Sequence, residues 1–209
     1  MFTLRKPGDQ AIRDYSAAQA PLPFSYEAVG CSADSDCAAP RGWNVDRCRV
    51  RLGEGEEAFE RASEAIRQWR MFPQEVAKVC WPDCPIETGA CVAILYHARP
   101  AFCWIVFPAR IVYVIDDEIE TSAGQMRRFG FAYGTLPDHP ESGEERFLVE
   151  WNRTDDSVWY DLLAVSRPAH WLARVGYPYT RWEQARFRRL SAKAMQRVSR
   201  SPQAVVGSH

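Results

Sequence analysis

Residues 127–151 read RRFGFAYGTLPDHPESGEERFLVEW. Phe129, Phe131 and Tyr133 alternate with Arg128, Gly130 and Ala132; Phe147, Val149 and Trp151 alternate with Arg146, Leu148 and Glu150. Successive side chains on a strand point to opposite faces. Each half therefore predicts a strand with one aromatic face and one face of small or charged residues. Turn residues separate the two, in Leu136-Pro137-Asp138-His139-Pro140 and Glu141-Ser142-Gly143. Two aromatic faces in succession predict an antiparallel sheet wrapped around something bulky, either a helix or a ligand.

Working outward, further strands are expected at Gly89 to His97, at Cys103 to Asp116 (as two strands bent at Pro108), and at Asp156 to Ser166. Upstream, Trp43 to Leu52 alternates like a strand, and Gly53 and Gly55 punctuate it. Glu54, Glu56 and Glu57 then place acids where a helix N-terminus favours them, and Ala58, Phe59, Ala62, Ala65, Ile66 and Trp69 recur at helical spacing up to Pro73. The chain closes on a second helix, with Thr180 as its expected N-cap. Phe187, Leu190, Ala194, Met195 and Val198 form its apolar stripe, beside seven Lys and Arg residues between Arg181 and Arg200.

The expected class is α+β: a curved antiparallel sheet of about six to seven strands around a long C-terminal helix. Residues 1–24 are expected to be irregular, 25–200 to form a single domain, and 201–209 to be a flexible tail. A further short strand is expected near Tyr26 to Gly30.

Composition bounds the function. The chain has 209 residues, 26 Lys plus Arg against 27 Asp plus Glu, and a formal net charge of −1, so no basic excess points to nucleic acid. The N-terminus lacks the apolar core of a secretory signal and no run is long enough to span a membrane, which predicts a cytoplasmic protein. Eight Trp residues are many for this size and suit a large aromatic core or a lined pocket. Seven cysteines, an odd number without a signal, argue against a disulfide framework. A thiolate metal site from Cys31, Cys37, Cys80 and Cys84 lacks the usual spacing, and no metal or cofactor is expected.

Several polar residues stand among apolar neighbours on the predicted strands: Arg110, Arg128, Glu150 and Asp161. If one faces an interior it requires a partner or a ligand. Tyr113, Tyr133 and Trp159 offer pocket walls with polar tips, and His139 lies in a turn with Glu141, Glu144 and Glu145 close behind. These eight, Arg110, Tyr113, Arg128, Tyr133, His139, Glu150, Trp159 and Asp161, are the candidate ligand-binding set. A one-residue register error reverses every facing. Asp116-Asp117-Glu118 is expected to be a solvated strand end, and His170-Trp171 to pack beside the last helix. No phosphate-cradling glycine loop and no serine elbow occurs.

The element order resembles the helix-grip fold of polyketide cyclases, birch-pollen-allergen-like proteins and steroidogenic lipid-transfer domains, a resemblance that implies an apolar ligand between sheet and helix. The strings VRLGEGEEAFERASEAIRQWRMFP, PARIVYVIDDE, RRFGFAYGTLPDHPESGEERFLVEW, DDSVWYDLLAVSRPAHWLARVGYPYTR and QARFRRLSAKAM resemble uncharacterised protein family 0548, a domain of unknown function, over about residues 25–198. That resemblance implies no catalytic residue, substrate or cofactor. Three functions follow as expectations. The first is binding of an apolar or amphipathic small molecule. The second is an enzyme acting in the same pocket through Arg128, His139, Glu150 or Asp161. The third is weak contact with an anionic membrane surface through Arg188, Arg189 and Lys193.

Overall fold

The computed structural model describes residues 1–33, 39–98, 103–169 and 177–200, residue 200 by its backbone alone. In chain order the elements are β1 (Phe2–Thr3), α1 (Asp9–Gln19), β2 (Asn44–Glu54), α2 (Gly55–Arg67), β3 (Ala77–Val79), β4 (Cys91–Ala98), β5 (Cys103–Thr121), β6 (Gly124–Thr135), β7 (Glu141–Asn152), β8 (Ser157–Pro168) and α3 (Tyr177–Arg200). The sheet runs β2-β8-β7-β6-β5-β4-β3 with every pair antiparallel, and the two residues of β1 add to β5. Four successive hairpins build β4 to β8, and β2 returns to the far edge beside β8.

The sheet curls, and its concave face carries the aromatic residues expected there. Phe129, Phe131, Tyr133, Phe147, Val149, Tyr160 and Leu162 join one core with α2 and Met195 of α3. Trp69 meets Phe131 edge-on at 4.9 Å between centroids, and Phe72 sits 5.6 Å from Phe147. Each such buried aromatic or aliphatic side chain contributes about 1.5–3 kcal/mol. This is the helix-grip arrangement, α+β, with seven strands on the main path.

Local chemistry explains the junctions. Gly55 takes φ +81, a backbone that favours glycine, and turns the chain from β2 into α2, where Glu56 and Glu57 occupy the first turn. The α2 stripe buries Ala58, Phe59, Ala62, Ala65 and Ile66. The C-terminal half of α3 is fastened to the sheet. Ser191 Oγ and the Tyr160 hydroxyl are 2.8 Å apart, Met195 is fully buried, and Ser199 Oγ donates to the Leu52 carbonyl at 2.9 Å.

Four expectations need correction. Residues 1–24 are not irregular: α1 packs Ile12 on Ala93, Leu95 and Val106 against the convex face of β4 and β5. The segment near Tyr26 to Gly30 forms bends and turns, not a strand. Cys103 to Asp116 belongs to one strand rather than two. The Pro108 carbonyl accepts from Leu136 N–H at 3.2 Å, just past the last β5–β6 pair, so the missing proline N–H costs no ladder bond. Asp116, Asp117 and Glu118 do not end that strand either; they pair with Arg127, Arg128 and Arg153. The tail 201–209, His170-Trp171 and Cys37 lie outside the described residues.

Candidate functional site

A cavity of about 320 Å³ opens between the concave face and the N-terminal half of α3. Its apolar wall comes from Phe72, Ile94, Ile105, Phe107 and Phe187. The size falls at the low end of small-molecule sites. One side of the wall is polar. Glu141 and Glu145 of β7 face inward on either side of Gly143; Tyr133 and Thr135 come from β6, His139 from the β6–β7 turn, and Glu183, Gln184 and Arg188 from α3.

The placement of the two carboxyls follows from period two. Counting back from Phe147 on the aromatic face gives Glu145, Gly143 and Glu141. Glu145 stands opposite Tyr133 on one side and Ala164 on the other, and the Tyr133 hydroxyl donates to its Oε2. Tyr133 is its hydrogen-bond partner among the described residues, and Glu145, half-buried, lines the cavity. The carboxyl oxygen that is buried without a partner is Glu141 Oε1. Burial raises the Glu145 pKa to about 7, against the lowering effects of the Tyr133 hydrogen bond and nearby Arg188. Glu141 is raised to about 7 for the same reason, although Ser166 Oγ donates to it at 3.3 Å. His139 Nδ1 lies 2.9 Å from the Glu141 carbonyl oxygen and 3.0 Å from Glu141 N, so the tautomer decides which of the two it bonds. Burial lowers the His139 pKa to about 4, so the ring is neutral near pH 7, tilted against Phe107 at 4.8 Å.

The ion pairs around this wall leave two carboxyls out. Asp46 of β2 holds both Arg181 and Arg188 of α3, with Arg188 at 3.1 Å. Glu183 pairs with Arg186. Neither Glu141 nor Glu145 has an ion-pair partner among the described residues. Glu141 and Glu145 are thus the two carboxyls of this wall left out of its ion pairs.

Of the eight candidates from sequence, the structure brings Tyr133 and His139 to the cavity. The other six point elsewhere. Arg110 donates to the Ala20 carbonyl at 2.9 Å and lies over the Phe24 ring. Tyr113 bonds Ser32 Oγ at 2.8 Å. Arg128 clasps Asp117 through two contacts of 2.8 and 2.9 Å. Glu150 pairs with Arg49, whose guanidinium covers Trp159. Asp161, fully buried, binds Arg47 at 2.7 Å and Arg49 and Arg146 at 3.2 Å. These six side chains turn to the convex face, covered in part by residues 24–33. There Glu144 accepts from the Tyr26 hydroxyl at 2.8 Å and from Ser32 N–H at 3.1 Å. The four polar residues expected to converge in an enzyme do not converge in the cavity; His139 alone faces it. Glu141, Glu145, Phe72, Phe187 and Arg188 were missed. Residues Glu141-Ser142-Gly143, read as turn, are the start of β7, and that extension puts both glutamates on its aromatic face.

On α3, Arg189 and Lys193 are exposed, but Arg188 turns inward onto Asp46 and is not part of the solvent face. No group of three or more His, Cys, Asp or Glu among the described residues is arranged to hold a metal ion, and none of their helices is long and apolar enough to cross a membrane.

Fold and cavity together define a helix-grip α+β protein with a partly polar cavity under its last helix. The chain belongs to the family described as domain of unknown function DUF1990, which matches residues 25–194. It is 35% identical over 200 residues to a UPF0548 protein of Dictyostelium discoideum, covering 90% of each chain. It is 32% identical over 210 residues to a UPF0548 protein of Deinococcus radiodurans, covering 95% of this chain and 99% of that one. Among solved structures, hypothetical protein jhp0584 of Helicobacter pylori superposes with a TM-score of 0.52 at 8% identity, covering 85% of this chain and 99% of that one. Human STARD10 gives 0.39 at 12% identity, covering 91% and 80%.

Proposed function

We propose that the protein binds an apolar or amphipathic small molecule in the cavity beneath α3. The observation that carries this reading is the cavity itself. Most sheet–helix interfaces close on side chains, whereas here Phe72, Phe107 and Phe187 line open space of about 320 Å³. Tyr133, Glu145 and His139 give the apolar chamber a polar side that orients a ligand. Native mass spectrometry of protein purified from its own cells tests this. The expected result is an adduct lost on denaturation and recovered by organic extraction. An apo mass, together with no uptake of a fluorescent apolar probe, contradicts the reading.

A second, separable reading concerns the outer face of α3. Trp182 is 52% exposed there, beside Arg186, Arg189, Leu190 and Lys193. An aromatic side chain amid basic residues suits the interface of an anionic membrane. Salt-sensitive cosedimentation with phosphatidylserine vesicles, abolished by Arg189→Glu with Lys193→Glu, is expected. Unchanged sedimentation of that variant contradicts this reading.

A further inference from the structure

We propose that the cavity selects a molecule carrying a protonated amine at one end of an apolar body, and that Glu145 receives the ammonium. The inference rests on the binding reading above and specifies its ligand chemistry. Three observations carry it. The Glu145 carboxyl lines the cavity, and its hydrogen bond among the described residues is the one Tyr133 donates to Oε2. Neither Glu141 nor Glu145 of β7 has an ion-pair partner among the described residues, because Asp46 engages both Arg181 and Arg188. The remaining walls offer an apolar body its contacts, from Ile94, Phe107 and Phe187, and the lining guanidinium, Arg188, is already held by Asp46.

The groups facing Glu145 are Tyr133 from β6, Asp46 from β2, Arg188 and Glu183 from α3, Glu141 from its own strand, and His139 from the turn; β8 contributes Ala164, Ser166 and the Tyr160 phenol. An ammonium gives Glu145 an ion-pair partner and makes a charge-assisted hydrogen bond in a low-dielectric chamber. A carboxylate ligand brings Glu145 no cation. An alcohol would bond Glu145 without neutralising it.

Binding also moves a proton. Burial holds Glu145 largely protonated near pH 6. Protonated Glu145 plus R–NH3⁺ becomes the Glu145 carboxylate paired with R–NH3⁺, and one proton passes to the buffer. No bond in the ligand changes.

The test is isothermal titration of the full chain with octylamine, octanol and octanoate at about pH 6, in two buffers of different ionisation enthalpy. The expected order is octylamine, octanol, octanoate, with the amine favoured over the alcohol by roughly tenfold or more. Amine binding is expected to release up to one proton, and the amine preference to disappear in Glu145→Gln. The proton release is read on unaltered protein, so the test does not depend on the variant folding. If octanol binds as tightly as octylamine, or amine binding releases no proton, the inference is overturned while the binding reading stands. If none of the three probes binds, the binding reading is overturned and this inference with it.

Discussion

Tyr133 and Glu145 face each other across β6 and β7, and the phenol donates its hydrogen bond to the carboxyl. The pair joins the aromatic face of the sheet to the polar side of the cavity. Burial pushes both groups toward their neutral forms, Tyr133 well above its ordinary range and Glu145 to about 7.

This sets a pH dependence with a defined sign. Glu145 has an unfolded value near 4.5 and a raised folded value, so its contribution to stability is complete below pH 4.5 and is lost as pH rises through about 7. Glu145→Gln keeps the shape and removes the titration. Near pH 8.5 the variant is expected to be more stable than wild type by about 1–3 kcal/mol, and near pH 5 the difference is expected to be small. His139 behaves oppositely. Its folded value is lowered to about 4 from 6.5, so its contribution is present above pH 6.5 and is lost as pH falls through 4. Urea unfolding across pH 4 to 9 checks both limbs.

On the convex face, Asp161 and Arg146 are both fully buried and paired at 3.2 Å. Asp161→Ala strands a guanidinium in the interior and is expected to cost about 3–5 kcal/mol. Replacing both together, Arg146→Met with Asp161→Leu, is expected to recover much of that loss. A double-variant cycle by urea unfolding measures the difference.

Gly134 keeps residues 24–33 seated. A Cβ there would stand 2.1 Å from the Tyr26 hydroxyl and 3.0 Å from the Phe24 ring. Gly134→Ala is therefore expected to break the Tyr26–Glu144 hydrogen bond, at about 1–3 kcal/mol. Hydrogen exchange is expected to rise over residues 24–33 and not in α2.

Ala164 lies across the β7–β8 ladder from Glu145 and lines the cavity. Ala164→Phe fills space that a ligand would occupy. Probe affinity is expected to fall at least tenfold, and overpacking to cost about 1–3 kcal/mol. Probe fluorescence and thermal unfolding together separate lost binding from lost fold.

Much of this architecture was legible in the chain. Period-two alternation in Phe129 to Tyr133 and Phe147 to Trp151 named the concave face, and helical spacing named α2 and α3. The site was less legible, for physical reasons. Strand alternation says which residues share a face, but not which face is covered by what. Arg128, Glu150 and Asp161 share the convex face with Arg146, where Asp117 satisfies Arg128, Arg49 satisfies Glu150, and Arg47 and Arg146 satisfy Asp161. The irregular segment 24–33 that buries part of this face carries no period to read. Between Ile111 and Tyr113 a bulge shifts the register of β5, which sends Tyr113 outward to Ser32. Glu141 and Glu145 were hidden by turn residues, since Ser142-Gly143 reads as a loop when it is the first part of β7. The three-residue β3 is too short to show a pattern, and α1 lacks a side-chain cap to announce it.

The central claim is that the chamber between the concave sheet and α3 is where a ligand sits. The most direct measurement is an isotope-filtered nuclear Overhauser experiment on labelled protein saturated with octylamine. The account predicts contacts from the alkyl chain to Ile94, Phe107 and Phe187, with the amine end nearest Tyr133. Contacts confined to the convex face or to the outer side of α3 would contradict it.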